Sequence, residues 1–430
     1  MHACARPVVR LREESFGASV YVADRDDIFL IDKRASLLVA SLTAKWKSIA
    51  AADQNAAIRL AEVGIIEVKE NDSKASVRQR SYSGIHLFGD FSDVPLVNSP
   101  LLVNCFSTSW CPLKCVYCHA DDLMTPELRA NEDTNSINNV LGTALAIPAL
   151  VYVITGGDPL TQPKRAAALS EKLPSNVGVV LDTSGAGLVS EAVNLLKVRP
   201  THLRVSIDSM DPRINKKTRP VNRDVIKKLE FGATESLDFA TQLIEEAGQY
   251  ATGVTVQTVI SSKNDSIGHL VEFRDWLISR GVKNWVLHLA INAGAARRFS
   301  SRDEDSKKRA ALHSLSPRKA ITILPDASRS YKAIGHLVDT AEKKQLAIDI
   351  RCTSGSTAPN SVFLIGSEGS LYTQGRGPDG GRKVKLFEKG QHPNDPRALW
   401  SYISPLDHVQ RYINYVPMIH GGKPKGVKLW

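Results

Sequence analysis

Between residues 99 and 350, short apolar runs alternate with longer stretches whose apolar residues recur every three or four positions. The runs Leu101–Phe106, Leu150–Thr155, Val177–Leu181, His202–Ile207, Val254–Ile260, Trp285–Ala290 and Ala347–Ile350 have the length of strands. The stretches Arg165–Lys172, Val189–Lys197, Ser236–Ala247, Gly268–Arg280 and Ser328–Lys344 have the period of helices. Near-continuously apolar strands separated by helices predict an α/β domain, its parallel sheet covered on one side. Six or seven such units predict an incomplete barrel.

The flanks read differently. Residues 1–70 form a small unit with strands at Ser19–Ala23 and Ile28–Ile31, joined by a turn at Asp24–Asp27. Helices follow at Ala35–Lys45 and Asn55–Val63, the second stopped by Gly64 before a short strand at Ile65–Val68. This combination has winged-helix character. Residues 71–98 are polar and serine-rich, a linker. Beyond 350 an extension to residue 430 is predicted, with a hairpin from Val362–Ile365 to Leu371–Thr373, a glycine-rich loop and a helix near Pro405–Asn414.

Composition narrows the class without naming a function. The chain has 430 residues, 43% of them hydrophobic, enough for one large domain with appendages. A net charge of +10 favours an acidic partner, although much of the excess is dispersed as a solvated surface. Six cysteines do not make a disulfide framework, and the amino terminus has no signal-like apolar core. The longest apolar run, Val140–Ile154, is broken by Pro148 and is too short to span a bilayer. A soluble cytoplasmic protein with no membrane partner is expected.

The chemistry concentrates in Cys111-Pro-Leu-Lys-Cys115-Val-Tyr-Cys118, directly after the first predicted strand. Three thiols at this spacing let one loop hold three corners of an iron–sulfur cube, leaving the fourth iron open. Zinc is the competing reading, but structural zinc sites close with four ligands and no second cysteine pair exists here. Further polar or glycine motifs follow the later strands in order: Gly156-Gly157-Asp158-Pro159, Asp182-Thr183-Ser184-Gly185, Ser206-Ile207-Asp208-Ser209, Gln257 with Ser261 and Ser262, and Asn292-Ala293-Gly294. In βα barrels that rim carries the functional groups.

With these motifs the chain resembles the radical SAM superfamily over residues 100–350. The resemblance implies a partial (β/α)6 barrel in which Cys111, Cys115 and Cys118 hold one [4Fe–4S] cluster. The open iron would take S-adenosyl-L-methionine, whose reductive cleavage yields a 5′-deoxyadenosyl radical that abstracts a substrate hydrogen. Gly156, Gly157 and Asp158 match the glycine-rich motif that meets the methionyl ammonium, with Asp in place of the family's Glu. Ser206 and Asp208 match the ribose region, Val259 and Ile260 the adenine-lining strand, and Tyr117 packs near it. Arg219 resembles the arginine found in peptide- and protein-modifying members.

The flanks also resemble peptide (RiPP) maturases. The N-terminal unit is similar to elements that hold leader peptides by adding a strand to an exposed edge. The C-terminal hairpin is similar to one that ends in an auxiliary-cluster cysteine, but Gln374 stands there, so a second cluster is not expected. Cys352, on the predicted rim, is a candidate hydrogen donor or a small buried cysteine. His288 is a candidate acid–base group or core, and Cys105 is expected in the barrel interior. The leading reading is radical modification of a precursor peptide, with flavodoxin or ferredoxin as electron donor. The alternatives are a radical SAM enzyme acting on a nucleotide, sugar or amino acid, and an iron–sulfur nucleic-acid regulator. The last lacks a helix with clustered Arg and Lys.

Overall fold

The computed structural model describes residues 1–69, 87–92, 95–222, 235–291, 294–296, 323–353, 362–376, 383–391 and 395–402, with 405, 408 and 409. Its centre is a ten-stranded sheet. Seven strands lie parallel in chain order: β8 (Leu102–Thr108), β9 (Val151–Gly156), β10 (Gly178–Thr183), β11 (His202–Ser206), β12 (Val254–Ile260), β13 (Asn284–Leu289) and β14 (Asp349–Thr353). Between them run α4 (Thr134–Ala146), α5 (Pro163–Lys172), α6 (Val189–Val198), α7 (Pro212–Thr218), α8 (Ser236–Ala247), α9 (Ile267–Ser279) and α10 (Ala327–Lys343), with the short α3 (Pro126–Ala130) before α4. The α/β architecture read from the sequence is therefore present, and the helical turns sit within a few residues of where the periodicity put them. Helix α4 was not legible: its Asn, Ser and Gly residues are poor helix formers, and Asp133 caps it by accepting from the Ser136 amide at 2.8 Å.

Strand alternation gives the sheet two unlike faces. One carries Val103, Tyr152, Ile154, Val179, Leu181, Val205, Val256, Trp285 and Ile350, all buried against apolar residues of the helices such as Val140, Leu169, Leu195, Leu243, Phe273 and Leu337. Among the described residues no α-helix packs on the other face, the helix-free face. At the strands' N-terminal ends it packs on the N-terminal unit: Leu102, Val151, Val153 and Val180 share a cluster with Tyr21, Ala23, Ile28 and Leu30.

That unit holds β1 (His2–Ala5), β2 (Val9–Glu14), β3 (Gly17–Val22), β4 (Asp27–Asp32), α1 (Lys33–Ala40), β5 (Lys47–Ser48), α2 (Gln54–Glu62), β6 (Ile66–Lys69) and β7 (Leu87–Phe88). Sheets of order β5-β1-β6 and β2-β3-β4-β7 share one apolar core with both helices. It is richer in strands than the sequence showed, because β2 is mostly charged and β1 and β5 are very short. Strand β7, inside the expected linker, pairs with β4.

The β3–β4 turn is pinned to the main sheet. The Arg204 Nε and Nη2 atoms donate to Asp26 at 2.5 and 2.7 Å. Arg351 donates to Asp27 at 2.6 Å, and His202 Nδ1 lies 2.6 Å from the Ala23 carbonyl. A Cβ on Gly253 would stand 2.2 Å from the Asp24 carbonyl oxygen, so only glycine admits the turn there. Burial raises the pKa of Asp26, but Arg204, His202 and Arg351 outweigh it and hold the carboxyl below its ordinary value.

The predicted hairpin is not a separate appendage. Strand β15 (Phe363–Ile365) pairs parallel with β8, and β16 (Leu371–Arg376) and β17 (Lys383–Phe387) continue the sheet antiparallel. His408 Nε2 accepts from the Leu101 amide at 2.8 Å, just before β8 begins. The helix expected at Pro405–Asn414 lies almost wholly outside the described residues. No helix among the described residues is long and apolar enough to cross a membrane.

Candidate active site

The cysteine loop leaves the C-terminal end of β8 and is clamped by the segment that follows α7. Lys114 and Val116 amides donate to the Pro220 and Thr218 carbonyls at 2.8 and 2.9 Å, and the Asn222 amide donates to Pro112 at 2.6 Å. At the loop's far end Ala295 donates to the Cys118 carbonyl at 2.8 Å. Before the loop, Glu132 accepts from Thr108 Oγ1 at 2.7 Å and from the amide and hydroxyl of Ser109. Both approaches to the cysteines are thus fixed.

Cys111, Cys115 and Cys118 are all free thiols, partly exposed. Burial and the neighbouring thiols raise the pKa of Cys111 and push that of Cys118 up to about 12. At Cys115 burial raises it and Arg219 opposes. A loop that crowds three thiols disfavours their ionisation unless a cation joins them. Three separate thiols are what the loop presents: among the described residues no three His, Cys, Asp or Glu side chains gather closely enough to hold a single metal ion.

The glycine pair packs on this loop's entrance. Gly156 has φ +143°, and a Cβ there would meet the Thr108 carbonyl oxygen at 2.2 Å. A Cβ on Gly157 would meet the Trp110 carbonyl oxygen at 2.0 Å. The Gly157 and Asp158 amides donate to Thr108 and Trp110 at 2.8 and 2.7 Å. The Asp158 carboxylate is turned toward the next strand: it accepts from the Leu160 amide at 3.0 Å, Thr183 Oγ1 at 2.8 Å, and the amide and hydroxyl of Ser184. Burial raises its pKa and those bonds oppose the rise. Its side chain ties β9 to β10.

Facing the cysteines are Tyr117, Asp208 and Arg219. The Tyr117 hydroxyl donates to Asp208 Oδ2, and Arg219 Nη1 donates to that hydroxyl at 3.2 Å. Asp208 Oδ1 accepts from the Val259 amide at 3.1 Å, and Asn264 donates to the Asp208 carbonyl at 2.8 Å. Arg219 is 6% exposed, and its buried Nε has no hydrogen-bond partner. An orphaned guanidinium N–H beside Cys115 and Tyr117 fits a site that receives an acceptor. Ser206 and Val259 are half-buried on the helix-free face, whereas the Ile260 side chain lies in the helix-facing core.

Two expectations change here. Strand β14 runs to Thr353, so Cys352 is a strand residue rather than a rim residue, and alternation turns it into the helix-facing core at 1% exposure. Burial pushes its thiol up to about 12. Cys105 lies in the same core, not on the helix-free face. His288 is half-buried on the helix-free face, beside Val259 in register. Of the Asn292 motif only Gly294 onward is described. Sequence reasoning missed Glu132, Asn264 and Lys383. The buried Lys383 Nζ reaches Asp122 at 3.2 Å and the His119 carbonyl, one residue past Cys118. No local pattern marks any of the three; only the fold brings them to the loop.

Residues 106–230 match the family model of the radical SAM superfamily. The match takes in the cysteine loop and strands β9, β10 and β11, and identifies residues 106–230 as a radical SAM domain. Among curated proteins it is 30% identical over 109 residues to GTP 3′,8-cyclase of Pseudomonas savastanoi pv. phaseolicola, covering 25% of this chain and 32% of that protein. It is 29% identical over 117 residues to AdoMet-dependent heme synthase of Methanosarcina barkeri, 27% of this chain and 33% of that one. The chain thus spans about a third of the length of the curated relatives it matches. Among solved structures, Streptococcus suis SuiB bound to S-adenosylmethionine superposes with a TM-score of 0.54 at 13% identity, over 99% of this chain and 98% of that one. SuiB bound to precursor peptide SuiA gives 0.52 at 12%, over 99% and 96%. The AdoMet-bound anSMEcpe gives 0.50 at 14%, over 72% and 81%. At these identities the likeness is one of fold.

Proposed function

We propose that this chain is a radical SAM enzyme that modifies a peptide. In this reading Cys111, Cys115 and Cys118 hold one [4Fe–4S] cluster, which supplies the electron that cleaves S-adenosylmethionine and so generates the radical that takes a substrate hydrogen. Gly156 and Gly157 keep the backbone close to the loop. Asp158 stiffens that corner through Thr183 and Ser184. Tyr117, Asp208 and Arg219 orient the cosubstrate, with Ser206 and Val259 beside it, and His288 lies toward the substrate. The single observation that carries the reading is the buried, orphaned Arg219 Nε beside Cys115 of the three-cysteine loop.

The peptide substrate is supported by fold likeness along the whole chain to SuiB, which has been crystallised with its precursor peptide. An N-terminal domain, residues 1–70, joined to a barrel and completed by a cluster-less extension from 351 suits that reading, as does cytoplasmic flavodoxin or ferredoxin as electron donor. A small-molecule substrate is the second reading, favoured by the GTP 3′,8-cyclase and heme synthase relatives.

Anaerobically reconstituted protein given dithionite and S-adenosylmethionine should release 5′-deoxyadenosine, and Cys115→Ala should lose both that release and the brown cluster absorbance. A variant that still cleaves would overturn the cluster assignment. Mass spectrometry of short peptides encoded beside the gene, incubated with the enzyme, separates the substrates: a mass change on a peptide supports the first reading, and change only on a nucleotide or amino acid supports the second.

A further inference from the structure

On the helix-free face, above the docked β3–β4 turn, the inward residues of β10 to β13 remain partly exposed: Asp182, Ser206, Gln257, Val259 and His288. Their neighbours one position along, Leu181, Val205, Val256 and Leu287, are at most 1% exposed. Solvent therefore reaches this half of the face, and what lines it is mostly polar.

Two of the positive charges bordering it are already paired with carboxylates. Arg204, the cross-strand neighbour of Asp182, sends its guanidinium to Asp26. Arg351 is spent on Asp27, while Arg219 donates one N–H to the Tyr117 hydroxyl and keeps its buried Nε unpaired. The Asp182 carboxylate accepts no hydrogen bond from any described residue. Structural carboxylates inside folds are ordinarily satisfied by donors, as Asp158, Asp208 and Asp26 are here. Asp182 is the exception. Burial, with Asp26 and Asp158 nearby, pushes its pKa up to about 6 against the opposing pull of Arg204 and Arg219. At neutral pH it is charged in surroundings that disfavour the charge, a strain that a ligand cation relieves.

We propose that Asp182 is the recognition group of the substrate site, its carboxylate receiving the charged nitrogen of a lysine or arginine side chain on the substrate peptide. This rests on the peptide-modifying reading and adds to it the side chain that enters. The Asp26–Arg204 pair is a positioning device: by neutralising Arg204, the N-terminal unit leaves Asp182 as the uncompensated charge on this face.

Ligand-observed NMR on the cluster-loaded enzyme, saturated with S-adenosylmethionine and without reductant, tests this with Nα-acetyl-lysine amide, Nα-acetyl-arginine amide and the neutral Nα-acetyl-norleucine amide. The cationic amides should bind about tenfold more tightly than norleucine, the ratio one charge-assisted hydrogen bond carries. Asp182→Glu should keep that preference and Asp182→Asn should lose it, with circular dichroism checking the fold of both. Equal binding of norleucine, no binding of either cation, or a preference that survives Asp182→Asn overturns the proposal. So does a preference seen only before S-adenosylmethionine is added, which would assign the carboxylate to the cosubstrate. Failure here leaves 5′-deoxyadenosine release intact as a separate measurement, whereas failure of the enzyme reading removes that release.

Discussion

Asp26 in the N-terminal unit holds Arg204 of the central sheet by two hydrogen bonds of 2.5 and 2.7 Å, with both side chains largely buried. Removing one partner of such a pair strands the other charge. Asp26→Ala is expected to destabilise the protein by about 3–5 kcal/mol. Urea unfolding followed by tryptophan fluorescence measures it, and a loss below 1 kcal/mol would mean the pair is not shielded as described.

Acid should act on His202 and Asp182 in opposite directions. Burial lowers the pKa of His202 from 6.5 to about 4, despite the pull of Asp26. The stability tied to its neutral form is complete above pH 6.5 and is lost as pH falls toward 4, by about 3 kcal/mol. Asp182 is raised from 3.8 to about 6, so its contribution is complete below pH 3.8 and lost as pH rises through 6, by a similar amount. In the wild type the two nearly cancel. Unfolding curves at pH 6.5, 5.5 and 4.5 should therefore show His202→Gln gaining stability on acidification relative to wild type and Asp182→Asn losing it. Parallel curves for both variants would contradict the burial of these groups.

Gly157→Ala forces a Cβ into the Trp110 carbonyl, with backbone on both sides and nothing flexible to yield. The cost is roughly 1–3 kcal/mol. Because the displaced segment leads into Cys111, iron bound per chain after reconstitution should fall more sharply than the melting temperature. Full iron loading in a well-folded variant would show that the loop tolerates movement.

Cys352→Ala should leave 5′-deoxyadenosine release and product formation at wild-type rates, since the thiol lies on the helix side of the sheet. A small cavity there costs on the order of 1 kcal/mol. Loss of product with normal 5′-deoxyadenosine release would restore Cys352 as a hydrogen donor.

The βα alternation was legible because each parallel strand is buried on the helix side and each helix shows one apolar stripe. The cysteine loop, the glycine pair and Asp208 were legible because their chemistry is local in sequence. What escaped was set by alternation and by long-range contact. Cys352 reads as a rim residue because the predicted strand stops at Ile350, whereas β14 runs on to Thr353 and alternation turns Cys352 inward. That Asp158 turns to Ser184, or that Lys383 reaches the carbonyl of His119, follows from the approach of segments dozens to hundreds of residues apart. Strand β2 escaped because its partner in β3, rather than its own charged composition, makes it a strand.

Strand β8 delivers the cysteines, yet one of its edges is covered by β15, its first residues are met by His408, and the loop it carries is braced by Lys383. A ribosome makes the cysteines some 250 residues before those supports emerge. The cysteine loop is thus made well before the strands and side chains that brace it. In the proposed function, a cluster therefore meets a fully braced loop only once residues beyond Lys383 have joined the sheet.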